Sequence, residues 1–380
     1  MAPQYAPSLR SRLVPMLLVL QLGFILIYAF YIEIESNIKV YGITFSNMYP
    51  EFHDVTVMVI LGFGYMCTFL VRYGFSGSGF NLLVTVIAIQ WAIILNGIKN
   101  WYYRGKIRID LKSLVVAEMC AASALISIGV VLGKTNPVHL ILIALLEVSG
   151  FVLNEWLLQT LLKKVDRKTG LFSILGTLFL CVFWPSLNSV LVDNRTPGRR
   201  LGAVLSTYLA LAVSAVTAAA VSSLSSPEGK LNPIHLQSCM LAGGVSIGVS
   251  MPAVHQPWEA MTIGFTAAVV STIGFRYLKS HMLLAFKFHD TCAVLSTHGL
   301  PGLLGWLAHL LLQIKDCDDH TTAIRFAVFH ICSLITISLS LCMGIITGLL
   351  LKWNFWRPPQ DKKCFDDQAF WEFLHLAVQK

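Results

Sequence analysis

Asp290 and His298 are the side chains in this sequence best suited to handling a proton inside an apolar segment. They lie in HDTCAVLSTHGLPG, residues 289–302, between two long apolar stretches. An imidazole takes up or releases a proton near neutral pH. A carboxylate eight residues earlier, at the cytoplasmic end of the expected span, can cap a helix through its free N–H groups. Such a pair suits a pathway for a small polar species. On position alone, a hydrogen bond between helices accounts for His298 as well, and both readings stay open.

Other ionisable residues fall inside apolar stretches, where their cost makes a role the default expectation. For Glu118 a place near a span end, in reach of water, accounts for it at least as well as a role does. Glu147 and Glu155 are eight apart and share a helix face, which should point inward and pair with neighbouring helices. Glu155 is retained as a candidate for the substrate pathway. His309 and His330 are expected to be packing residues.

These groups need a frame, and the composition supplies its class. Of 380 residues, 56% are hydrophobic and 13% are charged, about half the charge of a soluble domain. Stretches of about 20 apolar residues recur, the length that crosses a bilayer. The expected fold class is an all-α polytopic membrane protein. Spans are read at roughly 12–32, 54–73, 78–98, 112–133, 137–162, 170–192, 201–225, 234–253, 257–278, 292–314 and 324–351. Small residues in LAGGVSIGVS, with Gly244 and Gly248, and in GLPGLLGW, with Gly299, Gly302 and Gly305, imply closely packed helices.

The net charge of +8 gathers at span ends, as in Arg10 and Arg12 or the KKVDRK cluster at 163–168, and anchors topology. It implies a lipid bilayer as partner and no nucleic acid. Nine cysteines contain no C-x-x-C pair, so neither a zinc site nor a disulfide framework is expected. No nucleotide loop, metal cluster or nucleophile motif is present, so no cofactor and no enzyme activity are expected. Charge also exposes an inconsistency. With the N-terminus inside, eleven spans leave the basic tail LKWNFWRPPQDKK outside, and one span is missing from the count.

HDTCAVLSTHGLPG resembles the second pore-histidine motif of the Rh branch of the ammonium-transporter (Amt/Mep/Rh) superfamily. The likeness runs the length of the chain: FHDVTVMVILGFGYMCTFLVRYGFSGSGFN (52–81), ISIGVVLGK (126–134), GTLFLCVFWPSLNS (176–189) and GKLNPIHLQSCMLAGGVSIG (229–248) follow in family order. The tail CFDDQAFWEFLHLAV (364–378) is most similar to the blood-group Rh polypeptides.

The resemblance implies an inverted-repeat helix bundle of twelve spans, against about eleven here, forming a single membrane domain. The first half would run over 12–162 without its last helix, the second over 170–351, and a cytoplasmic tail over 352–380. It implies a trimer whose conducting members pass neutral ammonia through a hydrophobic pore. Each half contributes one Asp-x7-His repeat, and some members are discussed as carbon dioxide channels. Asp290 and His298 match the second repeat. The first is broken: Asp166 is present, but the position of its histidine holds Ile174, already in the next family helix. An omitted exon, in the message or in the gene model, would leave such an excision. Met119 and Leu187 stand where gate phenylalanines are expected, keeping an apolar constriction without stacked rings.

The resemblance therefore implies ammonium or ammonia transport at the plasma membrane. Its alternative is a non-conducting structural subunit of an erythrocyte Rh complex, in a trimer with a Rh-associated glycoprotein. The chain's one glycosylation sequon begins at Asn194 and is followed by Pro197, which weakens it.

Overall fold

The computed structural model describes residues 9–34, 49–63, 74–162, 174–190, 192, 199–226, 230–286, 290–315, 320–353 and 355. The α-helices with described ends begin with α1 (Leu9–Tyr31), α2 (Gly74–Arg104), α3 (Leu111–Val131) and α4 (Pro137–Leu162). They continue with α5 (Ile174–Val190), α6 (Arg199–Ser225), α7 (Pro233–Met240) and α8 (Ala242–Ser250). The last four are α9 (Pro257–Ile273), α10 (Lys279–Phe286), α11 (Leu300–Lys315) and α12 (His320–Leu351). Helix is the form a spanning segment must take, because hydrocarbon offers the backbone no partner. Seven helical stretches among the described residues are long and apolar enough to cross a bilayer. The stretch expected at 234–253 is instead divided into α7, α8 and a 3-10 turn at Met251–Ala253.

The chain forms two compact units. The first comprises Met1–Phe52, Cys67–Leu153 and Leu341–Lys380, and the second His53–Met66 and Asn154–Ser340. Within the first, α1 lies on α2 through the Gln21 and Gln90 side-chain amides, 3.0 and 3.3 Å apart in the two directions. Trp91 stacks on Phe24 and donates its indole N–H to Ser149 Oγ at 3.0 Å, tying α2 to α4. Two short strands, β1 (Ile32–Ile34) and β2 (Ile107–Ile109), pair in parallel, with Ile32 opposite Ile107. Asp110 and Ser113 cap α3 reciprocally, the carboxylate accepting from Ser113 N at 2.8 Å and the hydroxyl from Asp110 N at 2.9 Å.

The second unit is built on close approach of backbones. A Cβ on Gly243 of α8 would lie 2.6 Å from the Ala210 carbonyl oxygen, and one on Gly264 of α9 would lie 2.3 Å from it. Helix α6 is thus held between α8 and α9 at a spacing only glycine permits. Ala210, Ile247, Ala260 and Ile263 form the core there. At the start of α9, Glu259 accepts from the backbone N–H groups of His255 and Gln256, at 2.9 and 3.0 Å. The same carboxylate receives Lys315 from the end of α11 at 2.7 Å. That ion pair clamps the two helices at one end.

Candidate functional site

Three backbone features shape the Asp290–His298 segment. The Asp290 carboxylate accepts from Val294 N through Oδ1 and from Leu295 N through Oδ2, each at 2.9 Å. Both oxygens therefore engage N–H groups that have no earlier turn to bond to. Ala293 takes a left-handed conformation, φ 56°, which costs an L-residue about 1–2 kcal/mol. Leu295–Gly299 then forms a π-turn before α11 continues as ordinary helix. A π-turn holds an extra residue per turn and re-aims the side chains it carries. His298 sits on it, buried with Ser296 and Thr297.

Two neighbours hold this turn in place. Ser246 of α8 donates to the Pro301 carbonyl at 2.7 Å, and a Cβ on Gly305 would lie 2.4 Å from the Ser246 carbonyl oxygen. On another side, Leu300 fills the space where Gly274 lacks a side chain, 2.3 Å from its ideal Cβ position. Gly274 opens a second π-turn, Gly274–Leu278, so two irregular turns meet next to the histidine. Of the glycines expected to bring helices together here, Gly305 does so, whereas Gly302 faces open space.

Helix α8 also links this segment to Leu187. Two residues before Ser246, Gly244 receives the Trp184 ring of α5, whose Cε2 lies 2.8 Å from the ideal Cβ position. Leu187, Trp184 and Asn188 are all fully buried. The Asn188 amide donates to Thr207 Oγ1 at 3.1 Å and to the Gly244 carbonyl at 3.4 Å. Trp184 Nε1 and Asn188 Oδ1 make no hydrogen bond among the described residues. They are four apart on one helix, a donor and an acceptor on one face. Buried groups of this kind suit a small polar solute or water. Sequence reasoning passed over both, although a Trp and an Asn four apart in an apolar span is a signal that could have found them.

The remaining candidates fall on other stretches of the chain. Met119 is buried on α3 and belongs to the first unit, and its neighbour Glu118 is buried too, not near water as expected. Glu147 and Glu155 are half-buried on α4. His309 is buried and stacks on Phe329, ring centroids 3.8 Å apart, and His330 meets Trp306 edge-on at 5.4 Å. Asp166 and Asn194 lie outside the described residues. No group of three potential metal ligands occurs among the described residues.

The profile of the Ammonium Transporter Family matches residues 14–159 and 158–357. The two stretches meet just before Asp166. Ammonium transporter Rh type A of Bos taurus is 37% identical over 361 residues, covering 85% of this chain and 83% of that protein. Ammonium transporter Rh type C of Canis lupus familiaris is 31% identical, covering 96% of this chain and 94% of the relative. That match runs over 435 residues, more than the 380 here, so the relative carries residues that this chain lacks. Among solved structures, Nitrosomonas europaea Rh50, described as one of the Rhesus protein family of channels, superposes with a TM-score of 0.70 at 24% identity. The match covers 87% of this chain and 95% of that one. A sensor Amt protein gives 0.60 at 17% identity. At these identities the structural likeness is one of fold.

Proposed function

This chain belongs to the ammonium transporter family, and from that premise we propose that it passes ammonia or ammonium across the bilayer along a pathway containing His298. The observation that carries the reading is the buried imidazole on a π-turn held at its start by the Asp290 carboxylate. A bare ion entering a low-dielectric interior costs on the order of 20 kcal/mol by the idealised Born estimate, so the neutral form crosses. Ammonium gives its proton to water at the entrance, ammonia passes His298, and it takes a different proton from water beyond. His298 holds or yields a proton on a ring nitrogen, while Asp290 keeps the turn that aims it. Trp184 Nε1 and Asn188 Oδ1 offer the solute a donor and an acceptor, and Leu187 and Met119 supply apolar constrictions. Glu155 belongs to the same pathway.

The chain acts as one membrane domain in the plasma membrane, in a trimer with itself or with a Rh-associated glycoprotein. Asp166 is the remnant of a first Asp-x7-His repeat whose helix is absent. A single imidazole then does the work of two.

Ammonia-driven alkalinisation of vesicles carrying the full chain tests this, normalised to inserted protein. Flux above empty vesicles is expected, and His298→Ala should lower it at least about a hundredfold, the low end of a proton-transfer contribution. Wild-type flux equal to that of empty vesicles would reject the transport reading for this chain.

A further inference from the structure

Helix α7 is short, and its polar residues are turned inward. His235, Gln237 and Ser238 are each 5% exposed, and Cys239 is fully buried. The helix starts at Pro233 after Asn232, whose side-chain oxygen accepts from His235 N at 3.4 Å. The His235 imidazole meets the Phe275 ring, centroids 4.6 Å apart, and that ring packs on Ala218, Cys239 and Ala268. Its Nδ1 makes no hydrogen bond among the described residues. A buried polar atom without a bond is costly, so this one calls for a small polar occupant.

The place of α7 says which occupant that is. Helices α7, α8 and α9 pack against the Leu295–Gly299 turn that bears His298, and of the three only α7 carries a histidine. Phe275 belongs to the Gly274–Leu278 turn, which meets the same turn, the ideal Cβ position of Gly274 lying 3.7 Å from Ser296 Oγ. Charge then selects the form. Arg276 and Lys279 lie close enough to act on His235 electrostatically, and the Lys279 ammonium sits 4.9 Å from the Phe275 centroid. The Asp290 carboxylate, at the start of the facing turn, is engaged by Val294 and Leu295. Two cations disfavour a third in the same place, so the species that meets His235 is ammonia and not ammonium.

We propose that His235 is a second contact for ammonia on the pathway, hydrogen-bonding the neutral molecule through Nδ1 beside the turn that bears His298. The proposal rests on the transport reading and adds a residue to it: His298 handles the proton, whereas His235 supplies a hydrogen bond alone. Either tautomer serves, since Nδ1 as acceptor takes an ammonia N–H and as donor meets its lone pair. Phe275 holds the ring in place.

Ammonia-driven alkalinisation of vesicles carrying the full chain tests this with two substitutions, normalised to inserted protein and set beside unfolding midpoints in detergent. His235→Leu removes the polar atom and keeps an apolar filling. It should lower flux about three- to tenfold, the contribution of one neutral hydrogen bond, with the midpoint unchanged or raised. His235→Asn, which keeps a polar atom near the place of Nδ1, should retain most of the wild-type flux. Full flux in the Leu variant would overturn the contact, as would an Asn variant no better than Leu, or losses that follow the midpoints of the two variants. Those outcomes leave the transport reading standing. Wild-type flux no higher than that of empty vesicles would remove both.

Discussion

Helix α12 and the segment Asp290–Lys315 are both expected membrane-crossing elements, and they solve different problems. Helix α12 runs 32 residues without interruption, and only 6% of its apolar stretch is buried within the chain. Its Leu334, Ile337, Leu341, Ile345 and Leu349 all face outward. Asp290–Lys315 has a left-handed alanine, a π-turn and a buried Ser296-Thr297-His298 run before it becomes regular. A helix facing lipid has only its own backbone to satisfy, and uniform apolar α-helix does that. A helix enclosed by other helices can carry polar groups and irregular turns, because its neighbours supply the bonds. Departures from regular helix accordingly gather where the chemistry is expected.

The sharpest way to break this contrast is one substitution made in two places. Gly264→Ala puts a methyl 2.3 Å from the Ala210 carbonyl oxygen, whereas Gly348→Ala on α12 meets nothing within 4 Å. The first should cost about 3 kcal/mol or more as the α6–α9 contact is forced apart. The second should be neutral, or stabilising by up to about 1 kcal/mol. Thermal unfolding of both variants in one detergent compares them, and equal midpoints would erase the distinction.

A smaller effect is expected at the cap. Asp290→Ala leaves Val294 N and Leu295 N without their carboxylate, which should cost about 2 kcal/mol and reduce flux more than it reduces insertion. Flux per inserted molecule would remain at the wild-type level if the cap did not aim His298. The smallest change is at Ala293. Ala293→Gly relieves the left-handed conformation and should raise stability by about 0.5–1 kcal/mol, read as a higher unfolding midpoint with flux retained. A lowered midpoint would mean that the alanine methyl is needed where it packs.

Much of this was legible in the residues. The class follows from apolar runs, since lipid leaves a spanning backbone no choice but helix. The Asp290–His298 spacing, the small residues of α8 and the interruption after Asp166 are local facts of sequence. The rest depends on what lies across from each residue, which no single stretch records. Gly305 and Gly302 look alike in GLPGLLGW, yet only Gly305 meets a neighbouring backbone. Trp184 and Asn188 look like ordinary members of an apolar span until Gly244 and Thr207 are placed against them. By itself, then, the sequence determined a helical membrane chain and the second Asp-x7-His repeat, because bilayer thickness and residue spacing are one-dimensional constraints. Only tertiary structure decided the π-turn under His298, the left-handed Ala293 and the glycines that bear contact. Those features arise where several helices compete for one space, and the energy of each is set by its neighbours.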